Sequence, residues 1–180
     1  DVHLGKYYKV KDFQKVVGKI NDLKPDLIIF TGDLLDDPKT FNEEEGTTKL
    51  LSKLQARYGV YAVFGNHDHG NNGTKLYTKI MKNAGITLLK NNHKLITLPD
   101  GQHTSFTRIY DIVLSKPHLE DAFKGVPQEA YRLFVSHAPD VAEEALKYKP
   151  DLQLSGHTHG GQVRLPIVGA PFTPPYGEKY

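Results

Sequence analysis

Apolar and polar residues follow two different patterns along the chain, one typical of helices and one typical of buried strands. Val10, Phe13 and Val17 belong to a series of apolar residues at helical spacing, which predicts an amphipathic helix over residues 10–23. The apolar run at residues 26–31 is short and is followed by glycine, which predicts a buried strand.

The rest of the chain repeats this alternation of strands and helices, which is typical of a layered α/β domain. Pro99-Asp100-Gly101 interrupts residues 93–109, and we interpret that segment as a β-hairpin. Further helices are predicted over residues 44–56, 75–84 and 141–148, and further strands over residues 59–64, 86–89, 133–135 and 152–154.

Length and composition exclude several classes of protein. The 180 residues correspond to one domain, so we predict a single domain over residues 1–180. Because the chain has no cysteine, thiolate metal sites, disulfides and thiol catalysis are excluded. The formal net charge is only +2, with both signs mixed along the chain, so we expect no binding of long nucleic acids.

Polar clusters follow the short apolar segments. Since the carboxyl ends of strands in α/β sheets are where ligands bind, such clusters are expected to meet in one site. The clusters are Asp1-Val2-His3, Gly32-Asp33, Gly65-Asn66-His67-Asp68, Ser136-His137 and Gly156-His157-Thr158-His159.

The side chains in these clusters are carboxylates, imidazoles and one amide. Such donors suit manganese, iron or zinc better than calcium or magnesium, and they are too numerous for one ion. We therefore predict two divalent ions that share a bridging carboxylate, an arrangement that serves phosphoester hydrolysis. In an extended segment the rings of His157 and His159 would point to the same side, where both could bind metal.

The motifs D-x-H, G-D-x-x-D, G-N-H-D, S-H and G-H-T-H, in this order, resemble the calcineurin-like metallophosphoesterase superfamily. The segment LSGHTHGGQ, with the later LP and TPPYG, is similar to the YkuE-like branch more narrowly. The resemblance covers the whole chain and implies an α/β fold: a β-sandwich flanked by helices in αββα layers. The first and last strands of that fold are expected to be missing from this chain.

The same resemblance implies the metal ligands. Asp33 would bridge the two ions. One ion would be held by Asp1, His3, Asp33 and His159, and the other by Asp33, Asn66, His137 and His157.

For catalysis, the resemblance implies attack on phosphorus by a metal-bound hydroxide. His67 would protonate the leaving oxygen or stabilise its charge, and Asp68 would orient the His67 imidazole. Asp36, the second aspartate of G-D-x-x-D, is expected to support the fold rather than bind metal. Asp111, in a segment that matches the family poorly, receives no role.

The predicted activity is hydrolysis of a phosphodiester or a lipid-linked phosphate. A nuclease or cyclic-nucleotide phosphodiesterase of the same superfamily is one alternative, and a metal-binding scaffold without activity is another. The apolar segment 166–172 is interpreted either as a loop packed on missing strands or as an apolar lip that admits lipid-linked substrates. By analogy with the branch, an exported or membrane-associated protein is expected, with peripheral membrane association possible and a cytoplasmic location as the alternative.

Overall fold

The computed structural model describes residues 1–89, 92–108 and 118–180. Asp111 and the end of the predicted hairpin at Ile109 therefore lie outside the described residues. The chain divides into two compact units, Asp1–Leu89 and Lys90–Tyr180. That residues 1–180 form one domain stays a prediction.

The first unit is a three-stranded parallel sheet with helices. The strands are β1 (Ile28–Phe30), β2 (Val60–Ala62) and β3 (Thr87–Leu88), in the order β1-β2-β3. The helices are α1 (Val10–Asp22), α2 (Glu44–Leu51) and α3 (Gly73–Asn83).

The core of the first unit forms because each helix buries one apolar face. Helix α1 contributes Phe13 and Val17, and helix α3 contributes Tyr77, Ile80 and Met81 to the same cluster. This packing fixes the sheet, and it leaves the carboxyl ends of β1 and β2 to continue into polar loops.

The second unit contains a mixed sheet of four strands. The hairpin β4 (Asn92–Thr97) and β5 (His103–Arg108) is antiparallel, whereas β5 pairs in parallel with β6 (Tyr131–Val135), and β6 in parallel with β7 (Leu152–Leu154). The α/β class and the hairpin are thus confirmed.

The helical segments of the second unit differ from the sequence prediction. Helix α4 (Leu119–Phe123) was not predicted, because five residues are too few for a helical period to be visible. Helix α5 spans only Ala142–Ala145 and is flanked by 3₁₀ turns at Pro139–Val141 and Leu146–Tyr148, where one continuous helix was expected. Both helices pack on Phe134 of β6.

Among the described residues, no helix combines the length and the apolar composition that crossing a membrane requires.

Candidate functional site

The loop after β1 places Asp33 at the carboxyl end of the sheet in the first unit. Asp33 is 2% exposed, and its carbonyl oxygen accepts hydrogen bonds from the N–H groups of Val2 (2.7 Å) and His3 (3.1 Å). These two bonds bring the beginning of the chain to the strand end. As a result, Nε2 of His3 lies 3.6 Å from Oδ2 of Asp33.

The loop after β2 reaches the same carboxylate from the neighbouring strand. Oδ1 of Asp33 accepts a hydrogen bond from the backbone N–H of His67 at 2.9 Å. A Cβ atom added to Gly65 would lie 2.1 Å from this Oδ1, so the approach requires glycine. Asn66 is half-buried between these two residues, and its carbonyl oxygen accepts from the N–H of His69 at 3.4 Å.

The imidazole of His67 lies beside His3 and Asp36. The two rings meet edge to face with centroids 4.7 Å apart, and Nδ1 of His67 lies 2.7 Å from the carbonyl oxygen of Asp36. Since a carbonyl oxygen can only accept, Nδ1 is the donor in this bond. The Nε2 atom of His67 is then the ring nitrogen left for proton exchange.

The carboxylate of Asp36 belongs to this cluster as well. Its Oδ1 lies 3.8 Å from Nδ1 of His3. His3, Asp36 and His67 each offer one ligand atom, and these atoms lie within 4.8 Å of one another, as in a group that could hold a metal ion. Asp36 was expected only to support the fold, and its approach to His3 and His67 was not predicted, although the fixed spacing of G-D-x-x-D was the available signal.

Asp68 has a different role from the one predicted. Its carboxylate accepts hydrogen bonds from four backbone N–H groups, with distances of 2.8–3.2 Å, and it is fully buried. The donors lie in both loops: Asp33, Leu34, Leu35 and Gly65. Among the described residues, the ring of His67 hydrogen-bonds Asp36 and not Asp68. The prediction that Asp68 orients this imidazole is therefore wrong: Asp68 joins the two loops.

The environment of Asp68 also changes its acidity. Burial raises the pKa of its carboxyl to about 7; the N–H of Gly65 opposes this increase, and the negative charge of Asp33 adds to it. The N–H groups of Leu35 and Asp33 act in the same direction as that of Gly65, because they stabilise the charged form.

In the second unit, His137 and His157 follow the parallel strands β6 and β7. Both side chains are buried, and their ring centroids lie 4.9 Å apart. The loops are joined by a hydrogen bond from the N–H of Gly156 to the carbonyl oxygen of His137 (2.9 Å). Nε2 of His157 donates to the carbonyl oxygen of Pro175 at 2.9 Å, which leaves the lone pair on Nδ1.

The doublet His157-Thr158-His159 is not extended, so the prediction of an extended segment, with both rings on the same side for that reason, is wrong. His157 has a left-handed backbone, and His159 begins a 3₁₀ turn that spans His159–Gly161. Within the second unit, His157 is buried whereas His159 is exposed.

Four of the seven predicted metal ligands have a left-handed backbone conformation. His3, Asp33, His157 and His159 have φ values of 51°, 52°, 69° and 51°. Side chains other than glycine rarely adopt such values, and strain of this kind clusters at functional sites. Of the remaining predicted ligands, Asp1 is exposed at the start of the first unit.

The donors in each unit fit a transition-metal ion. The first unit presents imidazole and carboxylate groups within a few ångströms of one another, and the second presents two buried imidazoles in contact. Mixed nitrogen and oxygen donors of this kind suit manganese, iron and zinc.

The profile described as "Calcineurin-like phosphoesterase" matches residues 1–161. The chain belongs to the calcineurin-like phosphoesterase family. This membership confirms the resemblance drawn from the five motifs, and it places the chain in a family of hydrolases.

Similar proteins carry names from the same class of chemistry. The chain is 39% identical over its whole length to "Uncharacterized metallophosphoesterase YkuE" of Bacillus subtilis and covers 63% of that protein. It is 34% identical, again over its whole length, to "Phosphodiesterase YaeI" of Escherichia coli, of which it covers 66%. Over 91% of the chain it is 29% identical to "Transmembrane protein with metallophosphoesterase domain" of Danio rerio, and it spans 39% of that relative.

Proposed function

We propose that this chain hydrolyses phosphoesters at a centre of two divalent metal ions. The observation that carries the proposal is the position of the donors in each unit. Asp33 and Asn66 follow the parallel strands β1 and β2 in the first unit, and His137 and His157 follow β6 and β7 in the second. Strand ends of this kind are where α/β proteins bind ligands, and the family match runs through both units.

In this proposal Asp33 is the shared ligand, because a carboxylate offers two oxygens and can bridge two cations. One ion would be held by Asp1, His3, Asp33 and His159, and the other by Asp33, Asn66, His137 and His157. Asp36 is an additional candidate on the first ion, since its carboxylate lies beside His3. Manganese, iron and zinc are the metals that fit these donors.

When bound, such a pair of ions lowers the pKa of a water molecule and offsets the negative charge of the phosphate. The chain's own residues then act on the leaving group. His67 is positioned to donate a proton from Nε2 when its ring is doubly protonated, with the Asp36 carbonyl oxygen accepting the Nδ1–H and orienting the ring. Asp68 acts on geometry only, by joining the loops that carry Asp33 and His67.

The preferred substrates in this proposal are phosphodiesters and lipid-linked phosphates. The name of the Escherichia coli relative supports a diester. The apolar lip, residues 166–172, supports a lipid: Ile167 is 108% exposed, Val168 71% and Phe172 86%. Peripheral contact with a membrane would follow, and the Danio rerio relative carries the name of a transmembrane protein.

Backbone hydrogen bonds hold the lip in a defined conformation in the second unit. Leu165 and Gly169 pair through two backbone hydrogen bonds of 2.8 and 2.9 Å. This pairing presents Ile167 at the tip with a φ of 70°, a conformation that β-branched residues rarely adopt. Contiguous patches of exposed apolar side chains usually mark an interaction surface.

His67→Ala tests the proposed chemistry. Hydrolysis of an aryl phosphodiester with manganese, zinc or iron should fall by about 10²–10⁴-fold, the usual contribution of general acid catalysis. The bound metal should be unchanged in elemental analysis. His118→Ala, an exposed histidine in the second unit, is the control and should retain full activity.

Three results would contradict the proposal. Wild-type protein that is inert with all three metals would favour a scaffold without activity. Turnover of duplex DNA or of a cyclic nucleotide well above that of simple diesters would favour the nuclease or cyclic-nucleotide alternative. Loss of metal from His67→Ala would mean that this imidazole is a ligand.

A further inference from the structure

A polar cavity lies in the second unit, at the opposite end of the sheet from His137 and His157. Its volume is about 480 Å³, within the usual range for small-molecule sites. Arg132 lies in this cavity and His137 follows the same strand, five residues later and roughly 16 Å away along an extended chain. The lining residues are Gln128, Ala130, Arg132, Lys147, Lys149 and Asp151.

Positive charge predominates in this cavity. Three of the six lining residues are cationic and one is acidic. Asp151 is already engaged, since its Oδ2 accepts a hydrogen bond of 2.7 Å from the backbone N–H of Arg132. Among the described residues, neither Arg132 nor either of the two lysines forms an ion pair with a carboxylate.

The guanidinium of Arg132 is held in place by neutral groups. Nη1 donates to the carbonyl oxygen of Tyr148 at 2.6 Å, and Nη2 donates to that of Pro127 at 3.4 Å. Carbonyl oxygens orient the group but do not neutralise its charge. The cavity therefore holds a fixed cation whose charge an anionic ligand would balance.

Lys149 adopts a backbone conformation that is unfavourable for lysine. It ends the 3₁₀ turn Leu146–Tyr148 with φ 52° and ψ 58°, a left-handed conformation that helix ends usually give to glycine or asparagine. The side chain of Lys149 lines the cavity, where its charge adds to that of Arg132.

We propose that this cavity binds a small phosphate-bearing anion, separately from the phosphoester site proposed at the other end of the sheet. Ala130 is the only apolar side chain in the lining, so the cavity suits a strongly polar ligand. A neighbouring cavity of about 500 Å³ shares Gln128, Ala130 and Asp151 and provides space for the remainder of a ligand larger than phosphate itself.

Isothermal titration of inorganic pyrophosphate into metal-depleted protein at low ionic strength tests this site. Wild type should bind at one saturable site. Lys149→Asn should weaken binding by roughly tenfold, the usual contribution of one charged hydrogen bond, without loss of thermal stability, because asparagine tolerates the left-handed backbone. Adding Lys147→Gln should weaken binding further.

Lys124→Gln is the matched control, since Lys124 is exposed in the same unit and does not line the cavity. Its affinity for pyrophosphate should equal that of wild type. No saturable binding by wild type, full binding by the double variant, or an equal decrease in all lysine variants would overturn the proposal. Citrate binding as tightly as pyrophosphate would overturn the assignment to phosphate.

Discussion

At the scale of single residues, the close contact between Gly65 and Asp33 determines whether the two loops of the first unit can meet. A Cβ atom at position 65 would lie 2.1 Å from Oδ1 and 2.4 Å from the backbone nitrogen of Asp33. Neither atom can move alone, because Oδ1 accepts from His67 and the nitrogen donates to Asp68. The local geometry therefore depends on the absence of a side chain at this position.

Gly65→Ala should lower the free energy of unfolding by about 3 kcal/mol, because the added methyl group forces the loops apart. Denaturant unfolding measures this change. Gly70→Ala lies in the same loop with no atom within 4 Å of the new Cβ, and it should change stability by less than about 0.5 kcal/mol. Equal stability of the two variants would show that the loops tolerate separation.

The geometry of the two loops also depends on Asp68, which contacts their backbones through hydrogen bonds. Its two oxygens together satisfy four N–H groups, which no neutral side chain of equal size can do. The residue thus acts as a structural tie between the loops, and its effect on catalysis is through the position of Asp33 and His67.

Asp68→Asn should reduce the free energy of unfolding by about 2–4 kcal/mol, since the new amide group would face buried N–H donors and leave them unsatisfied. The unfolding midpoint in urea measures it. Asp100→Asn, in the exposed turn of the hairpin, is the control and should have almost no effect. A variant at position 68 with normal stability but reduced activity would restore the catalytic role predicted from the sequence.

At the scale of elements, long segments with a clear period could be predicted and short ones could not. Helix α1 was expected over residues 10–23 and spans Val10–Asp22, because its apolar face is regular. Helix α2 ends at Leu51, five residues earlier than expected, although Leu54 still packs on the core. Hydrophobic spacing alone does not distinguish a helix from a turn that buries the same side chain.

The apolar lip is the element that most directly concerns the choice of substrate. Phe172→Ala should reduce turnover of a lipid-linked pyrophosphate several-fold while hydrolysis of a soluble aryl diester remains unchanged, because only the lipid contacts the lip. Tyr7→Ala, at an aromatic residue of equal exposure in the first unit, should affect neither substrate. Equal losses on both substrates, or no loss on either, would show that the lip does not contact lipid-linked substrates.

At the scale of the whole molecule, the strands that precede Asp33, Asn66, His137 and His157 could be predicted from the sequence. This was possible because carboxylates and histidines directly after apolar strands form a pattern that packing does not explain. The sequence did not predict the tie made by Asp68, the approach of Asp36 to His3, or the bent backbone at His157. These depend on the path of loops through left-handed conformations, which no periodicity encodes.

Metal content per chain tests the central claim, the proposed pair of ions with Asp33 as their shared ligand. After loading with manganese and gel filtration, wild type should contain about two ions per chain in elemental analysis. Asp33→Asn keeps the acceptor for the His67 N–H but loses the bridging charge, so it should retain fewer than one. His137→Ala in the second unit should lose about one ion, and circular dichroism should show that both variants are folded. A wild-type content of one ion or none, or a folded His137→Ala variant with the wild-type content, would contradict the account.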